Sequence, residues 1–435
     1  MKQTTITRFS KILFFLIASS LLWTNLLFSQ PFNLSGYVKF FMHPNLNSPF
    51  PYDRLGTRLQ LTIQKQLMDR ANVFTSFDFN VEDTRSTGQF EERRSFTTEV
   101  YPVETYIDLY WRYLDLRVGK QFIFWGTTDW INPTDNINPW DYVNIAAEIE
   151  DYRIPVTAVK IDVYPSGNWI IEGVWIPRFS PHKIPIVVPD SLGPFPAEAA
   201  PPVIPENRLD NSELAVRVLS QLGNLDVSLS YYRGFDKNPS VLIIPEHDHQ
   251  FLPIRMVFEP NYYPIHIFGG DFVTTYRKLT LKGEGAYYLT DDRRGTNVYV
   301  ENPHLKYVLG GDYNVTDDFT LNLQFVHTHR FKYSREDEIL RYQQLGNPNP
   351  DPPEQDTYSL SGRIQYHVGD YTSFQLTGVV NLEDRDFFLL PILSHDLADG
   401  LKGYIGATIF EGNRNSPFGR NKSYSRAFLE LKYSF

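Results

Sequence analysis

Carboxylates, amides and indole rings are concentrated in one short segment, residues 117–142. It contains three aspartates, three asparagines and three tryptophans, namely Asp129, Asp135, Asp141, Asn132, Asn136, Asn138, Trp125, Trp130 and Trp140. Clustered carboxylates create a local field that favours cations, and aromatic faces can hold sugar rings or other apolar surfaces. Asn-Pro and Asp-Asn pairs also build turns through side-chain hydrogen bonds and the fixed proline dihedral. Turn formation and solute binding are therefore both open for this segment, and the two are compatible.

The elements that must position this segment are strands with two different faces. In residues 56–67, alternation places Leu59, Leu61 and Ile63 on one face. Arg58, Gln60 and Thr62 fall on the other face. A period of two is the side-chain repeat of a β-strand. Residues 318–330 and 357–368 alternate in the same way. One polar and one apolar face over so many strands predicts an all-β protein of unusual regularity.

The last fourteen residues, KSYSRAFLELKYSF, alternate up to a terminal aromatic residue, Phe435. They resemble the closing strand of bacterial outer-membrane β-barrels, whose terminal Phe is part of the signal read by the barrel-insertion machinery. The resemblance implies a transmembrane antiparallel barrel in the outer membrane of a diderm bacterium, with lipid and that machinery as partners. An ordinary half-buried strand at the end of the chain is the alternative.

Composition agrees with a barrel better than with a soluble enzyme or a helical membrane protein. Aromatic residues make up 15% of the chain, yet mean hydropathy is −0.33. No interior apolar run approaches the roughly 20 residues of a spanning helix. The net charge of −10 argues against nucleic acid as a partner. The chain has no cysteine, which excludes disulfide and thiol chemistry.

The N-terminus has the organisation of a secretory signal peptide. Lys2, Arg8 and Lys11 precede an apolar stretch, and Ser29 is a small residue at its end. We predict a signal peptide over residues 1–29 and a single outer-membrane barrel domain over 30–435. A retained membrane anchor is the alternative, although polar residues interrupt the apolar stretch.

Counting back from the C-terminus gives eighteen strands. The number is sixteen if the two segments with the weakest alternation, 265–276 and 385–394, are not strands. An even number is what single-chain bacterial barrels require. Short turns alternate with long loops, as on the periplasmic and extracellular sides of such barrels. The long loops are 82–100, 120–153, 177–210, 235–264 and 331–356. The predicted strands are 33–43, 56–67, 71–81, 101–112, 114–122, 154–164, 168–176, 211–222, 224–234, 265–276, 278–289, 303–314, 318–330, 357–368, 371–382, 385–394, 401–411 and 422–435.

Strand alternation places charges of both signs on the inward face. The predicted lumen wall includes Arg58, Asp108, Arg112, Arg117, Arg217 and Arg363. Similar numbers of inward cations and anions predict a solvated wall with little ion preference. A slip of one residue in register would reverse every assignment.

Two groups of histidines contain side chains of the kind that bind metal ions. Glu246, His247, Asp248 and His249 form a loop run that lacks a recognisable third and fourth ligand set. His327 and His329 fall on the lipid side of their strand, where interfacial residues are expected. We predict no metal and no cofactor. The chain also lacks a Ser–His spacing or nucleophile elbow, so we predict no enzymatic activity.

The central segment resembles a family of porin-like outer-membrane proteins, many of them uncharacterised. The resemblance rests on a G-K-Q-x-x-x-W-G run with downstream N-P-x-D and N-P-W-D. The matching residues are Gly119, Lys120, Gln121, Trp125, Gly126, Asn132, Pro133, Asp135, Asn138, Pro139 and Asp141. It implies a porin-like barrel and says little about the solute.

Together these patterns predict a channel for passive diffusion of small polar or amphipathic solutes. A barrel of sixteen to eighteen strands encloses water, so an inward-folded loop would have to narrow it. We predict that loop 120–153 does so, and that its constriction or solute-binding residues are Trp125, Asp129, Trp130, Asp135, Asn138, Trp140 and Asp141. The alternative is a surface structural or adhesion barrel that acts through its long extracellular loops. Homo-oligomerisation is left open.

Overall fold

The computed structural model of the protein describes residues 32–44, 52–87, 92–144, 147–148, 152–184, 188, 191–192, 194–248, 253–344, 352, 354–413 and 416–435. The predicted signal peptide, residues 1–29, lies outside the described residues. No helix among the residues described is long and apolar enough to cross a membrane.

The described chain is built almost entirely of β-strands. In chain order they are β1 (Asn33–His43), β2 (Arg54–Met68), β3 (Ala71–Thr87), β4 (Glu92–Tyr110), β5 (Leu114–Gln121), β6 (Val156–Ser166), β7 (Trp169–Ile176), β8 (Ser191–Leu192), β9 (Phe195–Ala199), β10 (Glu213–Leu222), β11 (Leu225–Phe235), β12 (Ser240–His247), β13 (Pro253–Asn261), β14 (Pro264–Tyr276), β15 (Leu279–Thr290), β16 (His304–Asn314), β17 (Phe319–Arg330), β18 (Asp356–Val368), β19 (Thr372–Asn381), β20 (Asp386–Ala398), β21 (Leu401–Glu411) and β22 (Arg426–Ser434). The helices are α1 (Arg335–Gln344) and two short 3₁₀ turns, Leu209–Asn211 and Gly419–Tyr424.

Eighteen of these strands form one closed antiparallel barrel, and β8, β9, β12 and β13 form a separate small sheet. Each barrel strand pairs with the next barrel strand along the chain, and β22 pairs with β1 to close the ring. Closure leaves no unpaired strand edge, which a membrane-spanning sheet cannot tolerate. The predicted count of eighteen is confirmed, since the two weakest segments form β14 and β20.

The closing contact joins the two ends of the barrel sequence. Tyr37 of β1 is opposite Ser434 of β22. The backbone N–H of Phe435 donates to the Gly36 carbonyl, and the Gly36 N–H donates to the Phe435 carbonyl, both at 3.0 Å. Gly36 is required here because a Cβ at this position would lie 2.2 Å from the Gln60 carbonyl oxygen.

The two faces of the barrel differ as the alternation predicted. Leu229, Leu323 and Phe40 are exposed on the outer face, whereas the inner face carries charges. Ion pairs cross neighbouring strands in the lumen, for example Arg58 to Asp78 at 2.6 Å. The inward face includes five of the six predicted lumen-wall residues, Arg58, Asp108, Arg117, Arg217 and Arg363.

The sixth residue, Arg112, was predicted on the inward face of a strand, but it lies outside the strands. The strand β4 ends at Tyr110, and Arg112 lies exposed in the turn that leads to β5. A hydrogen bond from the Trp111 N–H to the Leu114 carbonyl (2.8 Å) closes this turn. The Arg112 guanidinium lies 4.9 Å from the Tyr113 ring centre. Arg112 is therefore part of a turn and not of the lumen wall.

The long loops contain more secondary structure than the sequence predicted. Most of predicted loop 82–100 is strand, because β3 and β4 continue pairing beyond the band of alternating residues. The Asp83–Arg94 pair (2.7 Å) helps to hold this extension together. Loops 177–210 and 235–264 contribute the small four-stranded sheet, in which β9 and β13 pair in parallel. Loop 331–356 contains α1.

Candidate functional site

The connection between β5 and β6, residues 122–155, folds into the barrel and is called the lumen loop here. Its described residues contact inward-facing side chains on strands that are far apart around the ring. The chain turns inward at Gly126, which has a φ of +85°. A Cβ at Gly126 would lie 2.6 Å from the carboxylate of Glu284. Only glycine therefore allows both this backbone conformation and the close approach to the wall.

Glu284 on β15 is the wall residue that holds the first part of the lumen loop. One of its carboxylate oxygens accepts hydrogen bonds from the Thr127 N–H (3.0 Å), the Thr128 N–H (3.1 Å) and the Thr128 hydroxyl (2.8 Å). The other accepts from the Thr134 N–H (2.7 Å) and hydroxyl (2.9 Å). Glu284 is 3% exposed. A buried carboxylate with five donors is well stabilised, so this contact fixes the loop against β15.

Asp129 extends the same attachment across the neighbouring strands. Its carboxylate forms ion pairs with Lys282 (3.1 Å) and Arg363 (3.2 Å). It also accepts hydrogen bonds from the amides of Asn322 and Gln324, both at 2.9 Å. Asp129 thereby links the lumen loop to β15, β17 and β18.

Glu148 attaches the distal part of the loop to another region of the wall. It forms ion pairs with Lys39 on β1 (3.0 Å) and Lys432 on β22 (2.8 Å), and it accepts a hydrogen bond from the Tyr404 hydroxyl (3.1 Å). Burial alone would raise the pKa of Glu148, but the two lysines outweigh it and lower that pKa to about 2. With Glu284, Asp129 and Glu148 all engaged, the lumen loop crosses the interior of the barrel.

Other polar residues of the segment shape the loop itself. The Asn138 side chain accepts from the Ile123 N–H (2.7 Å) and donates to the Ile154 carbonyl (2.8 Å), so it joins the two ends of the loop. Asp135 pairs with Arg153 at 2.7 Å. Burial raises the pKa of Asp135 to about 6, with Arg153 opposing the shift. These contacts are those expected of turn-building residues.

Asp141 also makes contacts that stabilise the loop. Its carboxylate accepts hydrogen bonds from the Val143 N–H (3.1 Å) and the Asn144 N–H (3.0 Å). It pairs with Lys183 at 3.1 Å, which draws in the loop that follows β7. Asp141 therefore connects two loops and is itself buried.

The three tryptophans occupy different environments. Trp125 is buried, and its indole N–H donates to Glu172 on the wall. Trp130 stacks on Phe388 of β20, with ring centres 5.6 Å apart and planes 22° apart. Trp130 and Trp140 line a cavity of about 450 Å³ in the upper lumen. Of the predicted binding residues, Trp130, Trp140, Asp129 and Asp135 line this cavity, whereas Trp125, Asn138 and Asp141 hold the loop in place.

Three important residues were not singled out from the sequence. The role of Glu284 depends on threonines about 150 positions away in the chain. Glu148 and Phe388 gave no local pattern that distinguished them. Only the complete barrel brings these residues next to the lumen loop.

Of the two histidine groups, the Glu246–His249 run extends beyond the described residues at His249, and the His327–His329 pair is described in full. His327 and His329 both contact the same oxygen of Asp356, at 2.9 and 2.7 Å, on the outer face of the barrel. Within the part of the chain that the structure describes, no group of three or more His, Asp or Glu residues is arranged to hold a metal ion.

Three solved structures share the architecture. OccAB3 of Acinetobacter baumannii superposes with a TM-score of 0.52 at 11% identity, covering 93% of this chain and 98% of its own. OccK7 (OpdD) of Pseudomonas aeruginosa gives 0.53 at 9% identity, with 94% and 99% coverage. OccK5 (OpdH) of the same organism gives 0.50 at 10% identity, with 93% and 98% coverage. At such identities the similarity concerns the fold alone.

Sequence comparison assigns the family. No curated protein matches the chain in sequence. Residues 62–434 match the model of a family described as "Protein of unknown function (DUF1302)". The match includes the Gly119–Asp141 segment, whose motif stays a prediction as a family signature. The closed barrel of eighteen strands, with its apolar outer and charged inner face, belongs in a bacterial outer membrane. The chain is therefore a member of the DUF1302 family with the fold of an outer-membrane β-barrel.

Proposed function

We propose that this protein is an outer-membrane channel through which small polar or amphipathic solutes diffuse passively, and that the lumen loop is its constriction. The observation that carries the proposal is the attachment of the loop to separate parts of the wall through Glu284, Asp129 and Glu148. A loop held at several points inside a wide barrel reduces the cross-section of the lumen and does not have to move to do so.

The mechanism follows from the width of the barrel and the chemistry of the loop. Eighteen strands enclose a lumen too wide to select among small solutes. The loop supplies a narrow passage in which charges and aromatic faces meet the solute at short range. Flux is driven by the solute gradient, and no catalytic step is involved.

The alternative is a surface structural or adhesion barrel. Its support is the small sheet formed by two extracellular loops, in which Arg255 pairs with Glu198 (2.5 Å) and Glu246. An adhesion role would not require the interior attachments of the lumen loop, so we favour the channel.

Single-channel recording separates the two functions. The purified protein in a planar bilayer should produce stepwise conductance increments, and liposomes that contain it should swell in isotonic solutions of small sugars. A membrane that stays silent although incorporation is verified by electrophoresis would contradict the channel proposal and favour adhesion.

We expect Asp129→Asn to shift ion selectivity toward anions. The substitution removes one negative charge and leaves Lys282 and Arg363 less compensated in the constriction. Reversal potentials across a KCl gradient measure the change. Asp141→Asn is the matched control, because Asp141 is buried against Lys183 and does not line the cavity. Equal reversal potentials for Asp129→Asn and the wild type would contradict a selective role for Asp129.

We further propose that Phe435 is part of the insertion signal, as the resemblance of the closing strand implies. Phe435→Ser should reduce the yield of heat-modifiable barrel in membranes, because recognition is impaired while the backbone hydrogen bonds to Gly36 are retained. Tyr433→Ser is the control, since Tyr433 is equally exposed on the same face (49% against 50%). Equal yields for the two variants would refute a special role of the terminal residue.

A further inference from the structure

A cavity of about 450 Å³ lies between the lumen loop and the extracellular end of the barrel wall. This volume is typical of sites that hold a small organic molecule. The lumen loop itself lines the cavity, so a solute that passes the proposed constriction would meet it. A binding site at this point would raise the local concentration of the solutes that fit it.

Flat apolar surfaces form much of the cavity. Trp130 stacks on Phe388, and Phe388 lies 5.1 Å from Phe410 between ring centres. On the other side Trp140 and Tyr142 stack with their planes 25° apart. Aromatic faces in such arrangements favour planar or cyclic apolar groups. The walls therefore fit a compact ring system better than a flexible polar chain.

Lys306 is a cation of this cavity that has no partner of opposite charge among the described residues. Lys306 of β16 lines the cavity, and its ammonium forms no ion pair or side-chain hydrogen bond with any described residue. The nearby carboxylates of Glu284 and Glu301 are engaged elsewhere, Glu284 by the lumen loop and Glu301 by Arg330 at 3.0 Å. A half-buried ammonium without a partner gains strongly from an anionic oxygen.

Each carboxylate of the cavity already has partners, either a basic residue or hydrogen-bond donors. Asp129 and Asp135 are in ion pairs with basic residues. Asp236 accepts hydrogen bonds from the N–H and the side-chain amide of Asn238, at 2.9 and 3.2 Å. A cationic solute would have to compete for these groups, whereas an anion at Lys306 competes with none.

His182 adds a second donor on the same cavity. Burial lowers the pKa of His182 to about 3, so the ring is neutral at physiological pH. Its Nδ1 accepts a hydrogen bond from the backbone N–H of Trp140 at 2.9 Å. The single ring proton is then on Nε2, where it is available for donation.

We propose that this cavity binds a compact amphipathic anion, with its ring system among the aromatic side chains and its anionic group on the Lys306 ammonium. The inference rests on the proposed channel function and names the class of solute that the channel concentrates. A neutral analogue loses the ion pair, and a cationic analogue meets Lys306 with like charge.

Three probes with the same ring system test the proposal: naphthoate, naphthalenemethanol and naphthylmethylammonium. Binding to the purified full-length barrel is followed by tryptophan fluorescence and calorimetry. We expect naphthoate to bind at least about tenfold more tightly than either analogue. Equal affinity for the three probes, or preference for the ammonium, would overturn the proposal.

Variants of Lys306 locate the site. Lys306→Met should weaken naphthoate binding about tenfold, which corresponds to the loss of one charge-assisted contact, and Lys306→Arg should retain it. Lys402→Met is the control, because Lys402 is also an inward lysine but pairs with Asp396 (3.2 Å) near the periplasmic turn. Naphthoate affinity unchanged in Lys306→Met would overturn the site.

Conductance measured on the same samples separates the two proposals. A barrel that conducts but does not bind naphthoate would overturn the binding site and leave the channel function standing. A barrel that binds naphthoate through Lys306 but never conducts would support the site and refute the channel function.

Discussion

Replacing Glu284 by glutamine should increase single-channel conductance by a factor of about two or more, because the lumen loop loses its main attachment to the wall. A glutamine amide would turn its NH₂ toward at least one backbone N–H that now donates to the carboxylate, so at least one of the five hydrogen bonds is lost and the others lose their charge assistance. Breaking buried charge-assisted hydrogen bonds costs about 3–5 kcal/mol, which is enough to release the loop. Glu284→Ala should have the same effect or a larger one.

Asp271→Asn is the control for this experiment. Asp271 is directly opposite Glu284 in the β14–β15 ladder, is also buried, and pairs with Arg217 and Ser228 instead of the loop. Its substitution should affect stability and leave conductance close to that of the wild type. If both variants conduct like the wild type, Glu284 does not hold the constriction. If both conduct more, the effect comes from general loosening of the barrel.

Glu148→Gln should give the second large effect, an increase in conductance accompanied by frequent current fluctuations. The substitution removes the ion pairs to Lys39 and Lys432, which hold the distal part of the loop. The loop remains attached through Glu284, so it should alternate between docked and undocked positions. Lys432→Met should reproduce the behaviour. Lys402→Met, its cross-strand neighbour, should not, because Lys402 pairs with Asp396.

The pH dependence of the wild type tests the same contact. The pKa of Glu148 is lowered to about 2 from an ordinary value of 4.5. A carboxylate with a lowered pKa contributes stability that is lost only as pH falls through its value in the folded protein. Glu148 should therefore remain ionised at pH 4. The wild type at pH 4 should then lack the current fluctuations that we expect for Glu148→Gln. Their appearance in the wild type between pH 5 and pH 4 would show that the lysines do not hold the carboxylate.

The strands could be predicted because each membrane-spanning strand has its own alternation of apolar and polar residues. β17 and β18 alternate strictly, since one face meets lipid and the other water. The extension of β3 was missed because both of its faces are polar from Glu82 to Thr87. There the strands are held by pairs such as Asp83–Arg94, which leave no period-two hydrophobic pattern.

The candidate site could be predicted as a segment, but the roles within it could not. Its composition pointed to the lumen loop, and Trp130, Trp140 and Asp129 do line the cavity there. Local spacing could not separate these residues from Asn138, which is fully buried and joins the ends of the loop. Burial and partner choice depend on the far wall, and in particular on Glu284 and Phe388. For the same reason, the lack of a partner for Lys306 among the described residues could be seen only in the assembled barrel.

The contacts of the lumen loop also have a consequence for the order of assembly. Thr134 and Glu284 are 150 positions apart in the chain, and Glu148 and Lys432 are 284 apart. Contacts between such distant residues form late, because the intervening chain must first be ordered. The loop can thus complete its docking only after β22, which carries Lys432, has joined the barrel. We therefore expect the strands to pair before the loop is docked, so that substitutions on the exposed face of the loop leave strand pairing intact.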